Sequence, residues 1–304
     1  MIQLEKILKN DRLMRALTGL NAPEFTALLP EFEKQWILSR QIRYAADKKR
    51  QRKPGGGRKG CTGTIAEKFF FILFYYKCYP TYDVLGFFYA CDRSNACRKQ
   101  QRLSGTLEAT LGKKLVLPKR QLRNIEEFLK AFPEAKEVFI DGTERPIQRP
   151  QDSKRQKEDY SGKKKRHTRK NLIISTRQKR IGFLSKTIGG KEHDFTILKA
   201  QAPPRVIPKD VKTHVDLAFK GIDRQYPDHR ISMPERKPRT RGLTEARKSR
   251  NKKKSSVRVL AEHAIGGIKR LRIVSDVFRN KKKNFDDQAM LISCGLWNYH
   301  LAMR

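Results

Sequence analysis

Residues 138–143 read Val-Phe-Ile-Asp-Gly-Thr, an apolar triplet that runs into an acid. Branched and aromatic side chains favour strands, so the triplet predicts a short buried strand that ends at Asp141. Strand-like segments continue after it, as a predicted hairpin over 171–175 and 181–187 and short strands over 213–216 and 231–233. This order predicts an α/β fold for the second part of the chain.

The residues before 134 have a helical period instead. The apolar run 69–76, Phe-Phe-Phe-Ile-Leu-Phe-Tyr-Tyr, predicts a buried helix, and short helices are predicted between 17 and 32. Helical periodicity returns from residue 256 and again over 286–303. We therefore predict a helical domain over 1–133, followed by an α/β domain over 134–304.

Positive charge dominates the composition, with 69 Lys and Arg against 31 Asp and Glu and a net charge of +38. Such an excess predicts a polyanionic partner, for which nucleic acid is the usual choice. A membrane partner is disfavoured, because no apolar run approaches the roughly 20 residues that a spanning helix needs. Basic stretches interrupt the apolar pattern at 40–59, 153–170 and 236–254; the first has the composition of a linker or a DNA contact.

Residues 81–111 have the layout of a helix-turn-helix. Thr81 can cap a first helix, and the sequence Cys-Asp-Arg-Ser at 91–94 can form the turn. The second helix would place polar residues where they reach base edges and phosphates in the major groove. These candidate DNA-binding residues are Arg93, Ser94, Asn95, Arg98 and Lys99. The alternative is a surface helix in an ordinary helical bundle.

Acidic residues are scarce, so those in apolar surroundings stand out. Asp141 and Asp216 each end a predicted strand, where ligands of open α/β sheets gather, although either could simply form a turn. Glu262 lies in a late helix, where it could pair with Arg258 four residues earlier or lie along a DNA backbone. Gly266 and Gly267 lower the stability of that helix, which suggests that something packs closely against it.

Three carboxylates in a strongly basic protein suggest a divalent metal site. Mg²⁺ prefers oxygen ligands and leaves positions open for phosphate and water. Two such ions can activate water or a 3′-hydroxyl in phosphodiester displacement.

Several motifs occur together, in order along the chain. They are Leu-Thr-Gly-Leu at 17–20, Pro-Gly-Gly-Gly-Arg-Lys-Gly at 54–60, Pro-Thr-Tyr-Asp-Val-Leu at 80–85, Asp-Gly-Thr-Glu at 141–144, the basic segment 160–168, Gly190 with His193-Asp194, Val-Asp-Leu-Ala-Phe-Lys-Gly-Ile at 215–222, and Ala-Glu-His-Ala-Ile-Gly-Gly-Ile-Lys at 261–269. Together they resemble DDE-type transposases of bacterial insertion sequences, close to the Harbinger-like group.

The resemblance implies a ribonuclease-H-like catalytic domain, a mixed sheet flanked by helices, after an all-helical helix-turn-helix domain. It implies that Asp141, Asp216 and Glu262 are the catalytic residues and hold Mg²⁺ or Mn²⁺, with two ions expected. Asp194 and His193 would be supporting residues, with Asp194 a rival for the second acid. One departure is Ala218, which stands where the family usually has glycine.

Further residues are expected to hold DNA phosphates around this site. They are Lys163, Lys164, Lys165, Arg258 and Lys269. The expected partners are double-stranded DNA at the element ends and the target site, and a second copy of the chain in a homodimer or higher assembly on DNA. We expect a cytoplasmic, nucleoid-associated protein in a bacterium, or a nuclear one in a eukaryote.

Two other functions are compatible with parts of the sequence. A non-catalytic, sequence-specific DNA-binding protein derived from a transposase would bind DNA without metal-dependent nicking. An RNA-binding or ribosome-associated protein is suggested by the charge alone, and the helix-turn-helix disfavours it.

Overall fold

The computed structural model describes residues 3–46, 60–237 and 242–304, which fold into two compact units. The first unit comprises residues 1–117, 270–276 and 288–304, and the second comprises 118–269 and 277–287. The boundaries of these compact units differ from the domain boundary predicted between residues 133 and 134. The predicted boundary concerns functional domains and stays a prediction.

The helices and strands follow in chain order. The helices are α1 (Leu4–Leu8), α2 (Asp11–Thr18), α3 (Ala22–Ala46), α4 (Ile65–Cys78), α5 (Tyr82–Phe88), α6 (Arg93–Lys113), α7 (Ile125–Ala131), α8 (Ser153–Asp159), α9 (Asp194–Gln201), α10 (Ile222–Gln225), α11 (Glu245–Lys269), α12 (Arg272–Ser275) and α13 (Phe285–Ala302). The strands are β1 (Glu137–Pro146), β2 (Tyr160–Ser161), β3 (Arg166–Thr176), β4 (Ile181–Leu184), β5 (Ile188–Gly189), β6 (Lys212–His214) and β7 (Ile231–Ser232). Short 3₁₀ helices cover Pro204–Val206 and Leu217–Phe219.

The core of the first unit forms around the aromatic helix α4. Thr64 and Glu67 form a capping box at its start, and the aromatic run after it is buried throughout. The rings of Phe25 and Phe32 from α3 each lie 4.7 Å from Phe69. The prediction of short helices between 17 and 32 is wrong in part, because α3 continues for 25 residues through Pro30. Burial of its apolar face on α4 outweighs the cost of the internal proline.

The helix-turn-helix is formed by α5 and α6, as predicted. Thr81 caps α5, and the Asp92 side chain caps α6 by accepting a hydrogen bond from the Ser94 N–H at 2.7 Å. The turn between them packs so closely that a Cβ atom on Gly86 would lie 2.5 Å from the Cys91 carbonyl oxygen. Glycine is therefore required at this position of α5.

The second unit contains a mixed sheet of seven strands, ordered β2-β3-β1-β6-β7, with β4 and β5 also paired to β3. β1 is antiparallel to β3 and parallel to β6, and β6 is parallel to β7. The predicted hairpin forms as β3 and β4. A mixed sheet with helices after an all-helical region confirms the predicted fold class.

β1 is longer than predicted. It runs ten residues, so Asp141 lies in its middle and not at its end. The Gly-Thr sequence after Asp141 suggested a turn, but Gly142 and Thr143 stay in the ladder opposite Leu172 and Asn171. Pairing with the long strand β3 overrides the local turn preference.

Parts of all three basic stretches form helices or strands, including the start of α11 in the stretch 236–254. Residues 153–170 form α8, β2 and the start of β3, because Asp152 caps α8 and β3 pairs with β1. The predicted linker 40–59 is helical up to Ala46, and its remainder lies outside the described residues. In the part of the chain that is described, no helix is long and apolar enough to cross a bilayer.

Candidate functional site

Asp141 lies on the central strand of the sheet, with β3 on one side and β6 on the other. Its carboxylate accepts a hydrogen bond from the Gly142 N–H at 2.8 Å. Its pKa is raised to about 6, first by burial and then by the negative charge of Asp216, while the Gly142 N–H and Arg258 oppose the shift. So high a pKa means that nearby positive groups do not stabilise the ionised form of this carboxyl enough to offset its burial.

Asp216 follows β6 and is brought to the same edge by strand register. Phe139 pairs with His214, so Asp141 and Asp216 each lie two residues beyond a paired position on parallel strands. The Asp216 carboxylate accepts a hydrogen bond from the Ala218 N–H at 2.8 Å and caps the 3₁₀ helix. Only the backbone of Ala218 is used, so this contact does not depend on glycine at 218.

A buried histidine that sequence reasoning missed stabilises this register. The His214 ring stacks on Phe139 at 4.7 Å, and its Nε2 lies 2.9 Å from the Glu137 carboxylate. Burial lowers the pKa of His214, although Glu137 opposes that shift. Burial would raise the pKa of Glu137, but hydrogen bonds from Arg177 and His214 outweigh it and lower the pKa. The signal available in the sequence was that Phe139 and His214 each stand two residues before one of the two acids.

Asp194 lies directly over the backbone of β1. A Cβ atom on Gly142 would lie 2.8–2.9 Å from the Asp194 carboxylate atoms, so glycine allows this approach. Asp194 also raises the pKa of Asp141 by its charge. The structure therefore brings Asp194 into the neighbourhood of Asp141, and its supporting role stays a prediction. His193 is exposed and does not cap α9 with its side chain.

Lys170 holds this region together and was also missed by the sequence analysis. Its ammonium lies 3.1 Å from Asp194 Oδ1 and 3.5 Å from Glu144 Oε1, and it donates to the Glu192 carbonyl oxygen at 2.7 Å. Lys170 pairs directly with Glu144 across β3 and β1. Lys170 ends the basic stretch 153–170, yet it is buried.

Glu262 lies on α11, where its side chain is half exposed. Its carboxylate accepts a hydrogen bond from Arg258 at 2.8 Å, which is the simple pair that the sequence also allowed. Across the described ranges, no three His, Cys, Asp or Glu side chains come together closely enough to hold a metal ion. Arg258 also lowers the pKa of Asp141, so the partner of Glu262 lies within electrostatic reach of the two aspartates.

Close packing was expected at Gly266, but no described residue lies against it. A Cβ atom at this position would have no heavy atom within 4 Å, and the position is exposed on α11.

Lys269 lies within electrostatic reach of both Asp141 and Lys164. Lys163, Lys164 and Lys165 are exposed on the turn between β2 and β3. Lys269 is exposed as a whole residue, but its ammonium group is partly desolvated. This desolvation and repulsion by Lys164 lower the pKa of Lys269, while the charge of Asp141 opposes the shift. The expected role of these cations in holding phosphates stays a prediction.

The predicted DNA-binding residues on α6 differ in what they do. Arg93, Ser94, Asn95 and Arg98 are exposed, and Arg98 donates to Asn95 Oδ1 at 2.8 Å. The Lys99 ammonium instead donates to Thr62 Oγ1 at 2.6 Å and lies 5.8 Å from the centre of the Phe71 ring. Lys99 thus supports the segment before α4 in the free protein.

Comparisons with known proteins match both regions. A family model described as DDE superfamily endonuclease matches residues 140–298, and one described as the helix-turn-helix of DDE superfamily endonuclease matches 64–113. The probable transposase for insertion sequence element IS702 of Microchaete diplosiphon is 30% identical over 261 residues, covering 85% of this chain and 88% of that protein. No solved structure matches the chain. These matches do not address the Harbinger-like subgroup.

Proposed function

Because this chain belongs to the DDE superfamily of endonucleases and carries their helix-turn-helix, we propose that it is a transposase acting on the ends of a mobile DNA element. It would bind the terminal inverted repeats and catalyse metal-dependent strand cleavage and strand transfer. The observation that carries the proposal is that Asp141 on β1 and Asp216, just after the parallel strand β6, lie close enough for their charges to interact, with Arg258 within electrostatic reach of Asp141.

The acids have the chemistry of a divalent metal site. Asp141 and Asp216 offer hard oxygen ligands, and their mutual repulsion, which raises the pKa of Asp141, is what a bound cation would relieve. Bound Mg²⁺ or Mn²⁺, expected as two ions, would lower the pKa of attacking water or a 3′-hydroxyl and stabilise the leaving oxygen. Asp141, Asp216 and Glu262 would hold the metal.

The other residues position the acids and the DNA. Lys170 orients Asp194 beside Gly142, and His214 supports the strand end that carries Asp216. Arg258, Lys269 and the lysines at 163–165 would hold phosphates of the strand being cut. The exposed ion pair between Arg258 and Glu262 contributes only about 0.5 kcal/mol, so DNA and metal can readily replace it.

We further propose that the protein acts on chromosomal DNA in the bacterial cytoplasm and assembles as a homodimer or larger complex on DNA. The two ends of an element must be held together for strand transfer, which one active site on one chain does not achieve. Target DNA would be double-stranded.

One observation favours a second candidate, a non-catalytic DNA-binding protein derived from a transposase. Glu262 is paired with Arg258 and does not join the two aspartates among the described residues. Such a protein would bind the same DNA ends and would show no metal-dependent nicking.

A cleavage assay separates the two candidates. Supercoiled plasmid carrying the DNA that flanks the gene would be incubated with wild-type protein and Mg²⁺ or Mn²⁺. We expect nicking and strand joining to fall at least about 100-fold in Asp141→Asn, Asp216→Asn and Glu262→Gln, since each removes a charged ligand. Binding to the same DNA, measured by gel shift, should be retained in all three.

Two further variants sharpen the assay. Asp223→Asn changes an exposed acid on α10 and should leave cleavage unchanged. Asp194→Asn should reduce cleavage less than Asp216→Asn does; the reverse order would make Asp194 the second acid. Full activity in Asp141→Asn would disprove the proposed active site, and binding without nicking by the wild type would support the second candidate.

A further inference from the structure

A broad groove in the first unit lies between α3, the start of α4 and α6. Its volume is about 1280 Å³, larger than the roughly 300–1000 Å³ typical of small-molecule pockets. Among the described residues that line it, one is acidic, Asp92, and five are basic. The basic ones are Arg40, Lys68, Arg98, Lys99 and Arg102.

Two helices supply the walls of this groove. Asn95, Arg98 and Arg102 follow one another at helical spacing along α6, in the predicted DNA-reading helix. Trp36 and Arg40, four residues apart, face them from α3. α3 lies outside the matched helix-turn-helix segment 64–113, so this wall is an addition to that motif.

The positive charges in the groove are only partly compensated. Lys68 donates to three backbone carbonyls at 62–64, and Lys99 donates to Thr62, so both ammonium groups are engaged. Burial lowers the pKa of Lys68, and the positive charges of Lys99 and Arg40 lower it further. The guanidinium groups of Arg40 and Arg102 form no hydrogen bond or ion pair with any residue that the structure describes. Such crowding of like charges is relieved when an anion binds between them.

We propose that this groove binds the sugar–phosphate backbone of one strand of double-stranded DNA, so that the DNA-binding surface continues from the helix-turn-helix onto α3. The proposal rests on the proposed function, since it assigns a further part of the same DNA partner. Arg40 and Arg102 would each donate to a phosphate, and the half-buried Trp36 would contact a sugar or donate its indole N–H. Lys68 and Lys99 contribute charge while holding residues 62–64 in place.

Salt dependence of binding tests the phosphate contacts. Fluorescence anisotropy would follow binding of the full chain to a labelled duplex of the flanking DNA and to an unrelated duplex, at several salt concentrations. Removing two phosphate contacts in Arg40→Ala/Arg102→Ala should reduce the slope of log K against log salt by up to about 1.8. Because phosphates carry no sequence information, the affinity should fall several-fold for both duplexes alike.

A matched control uses two exposed lysines at the other end of α6. Lys113→Ala/Lys114→Ala removes the same charge from the same unit, at positions outside the groove. We expect the slope to change by clearly less in this variant. Equal slopes and affinities for the wild type and the arginine variant would overturn the proposal, as would an effect no larger than that of the lysine control.

Tryptophan fluorescence gives a second readout that does not depend on affinity. The chain has two tryptophans, and Trp297→Phe leaves Trp36 as the only one. Duplex DNA at saturation should protect Trp36 from quenching by acrylamide, and single-stranded RNA of the same length should protect it less. Unchanged quenching with bound duplex would place the DNA elsewhere and overturn the proposal; stronger protection by RNA would do the same.

Failure of this inference and failure of the proposed function give different results. If the wild type binds neither duplex, the proposed function itself is contradicted. If the wild type binds and cleaves, and the arginine variant does both equally well at every salt concentration, only the groove is excluded.

Discussion

Asp141 on β1 and Asp216 just after β6 each lie two residues beyond a paired position of two parallel strands, which brings their charges together. Among the residues that the structure describes, no cation contacts either acid directly, and burial together with the charge of Asp216 raises the pKa of Asp141. At the same scale, Lys170 is buried between Glu144 and Asp194 and neutralises part of the adjoining charge. The protein therefore keeps an uncompensated negative site inside a strongly positive molecule.

Asp141→Asn should stabilise the metal-free protein at pH 7.5. The folded-state pKa of about 6 lies above the ordinary 3.8, so stability falls as pH rises between these values and the loss is complete above pH 6. The shift corresponds to an upper bound of about 3 kcal/mol, so we expect a gain of roughly 1–3 kcal/mol in the free energy of unfolding. Urea unfolding in EDTA at pH 7.5 and pH 4.5 measures it.

The gain should shrink at pH 4.5, because most Asp141 is then protonated in the folded wild type. Asp223→Asn, at an exposed position, should change little at either pH. Equal stability of Asp141→Asn and the wild type at pH 7.5 would contradict the uncompensated-charge explanation.

At the scale of elements, β1 is the part that assembles the site. Its ten residues pair with β3 along their length and with β6 at their start. The strand thus carries Asp141 in its middle, receives Asp194 over Gly142, and presents Glu144 to Lys170. α11 is a long helix that adds Arg258, Glu262 and Lys269 from a different segment of the chain.

Gly142→Ala should destabilise the protein by about 1–3 kcal/mol, since the new methyl group overlaps the Asp194 carboxylate. Urea unfolding of the single variant, of Asp194→Ala and of the double variant forms a mutant cycle. The cost of Gly142→Ala should fall in the Asp194→Ala background.

Gly266→Ala is the matched control on α11, where space around the glycine is open. It should stabilise the helix by about 1 kcal/mol. If the cost of Gly142→Ala stays the same after Asp194 is truncated, the close contact is with another group and the explanation is wrong.

At the scale of the whole molecule, the chain passes between the two compact units more than once. The first unit contains residues 270–276 and 288–304 as well as 1–117. Tyr299 donates to the Glu24 carbonyl oxygen at 2.9 Å, and His300 lies 2.6 Å from the Glu24 carboxylate. The helical unit thus depends on residues at both ends of the sequence.

A fragment of residues 1–133 should therefore not unfold cooperatively on its own. It lacks the buried residues of α13, each contributing about 1.5–3 kcal/mol, against a total stability of about 5–15 kcal/mol for an ordinary domain. Thermal unfolding followed by circular dichroism would show a broad transition. Residues 1–117 joined through a long flexible linker to 285–304 should recover a cooperative one, and a sharp transition in 1–133 alone would contradict the expectation.

Local patterns in the sequence were sufficient for most helices and for the fold class. The aromatic run with its Thr64–Glu67 capping box specifies α4, Thr81 and Asp92 specify the helix-turn-helix, and alternation of strand-like segments specifies the α/β region. These features depend on neighbours within a few residues, which the sequence displays directly. The sequence also identified Asp141, Asp216 and Glu262 as candidate catalytic residues, and these roles stay predictions.

Tertiary structure alone decided which distant side chains meet. Strand pairing puts Lys170 opposite Glu144, packing of α9 on β3 puts Asp194 against Gly142, and the core of the first unit takes up α13. The same packing draws Lys99 to Thr62 and leaves Glu262 beside Arg258. Such contacts join residues far apart in sequence, and their energies depend on burial and register, which no local pattern contains.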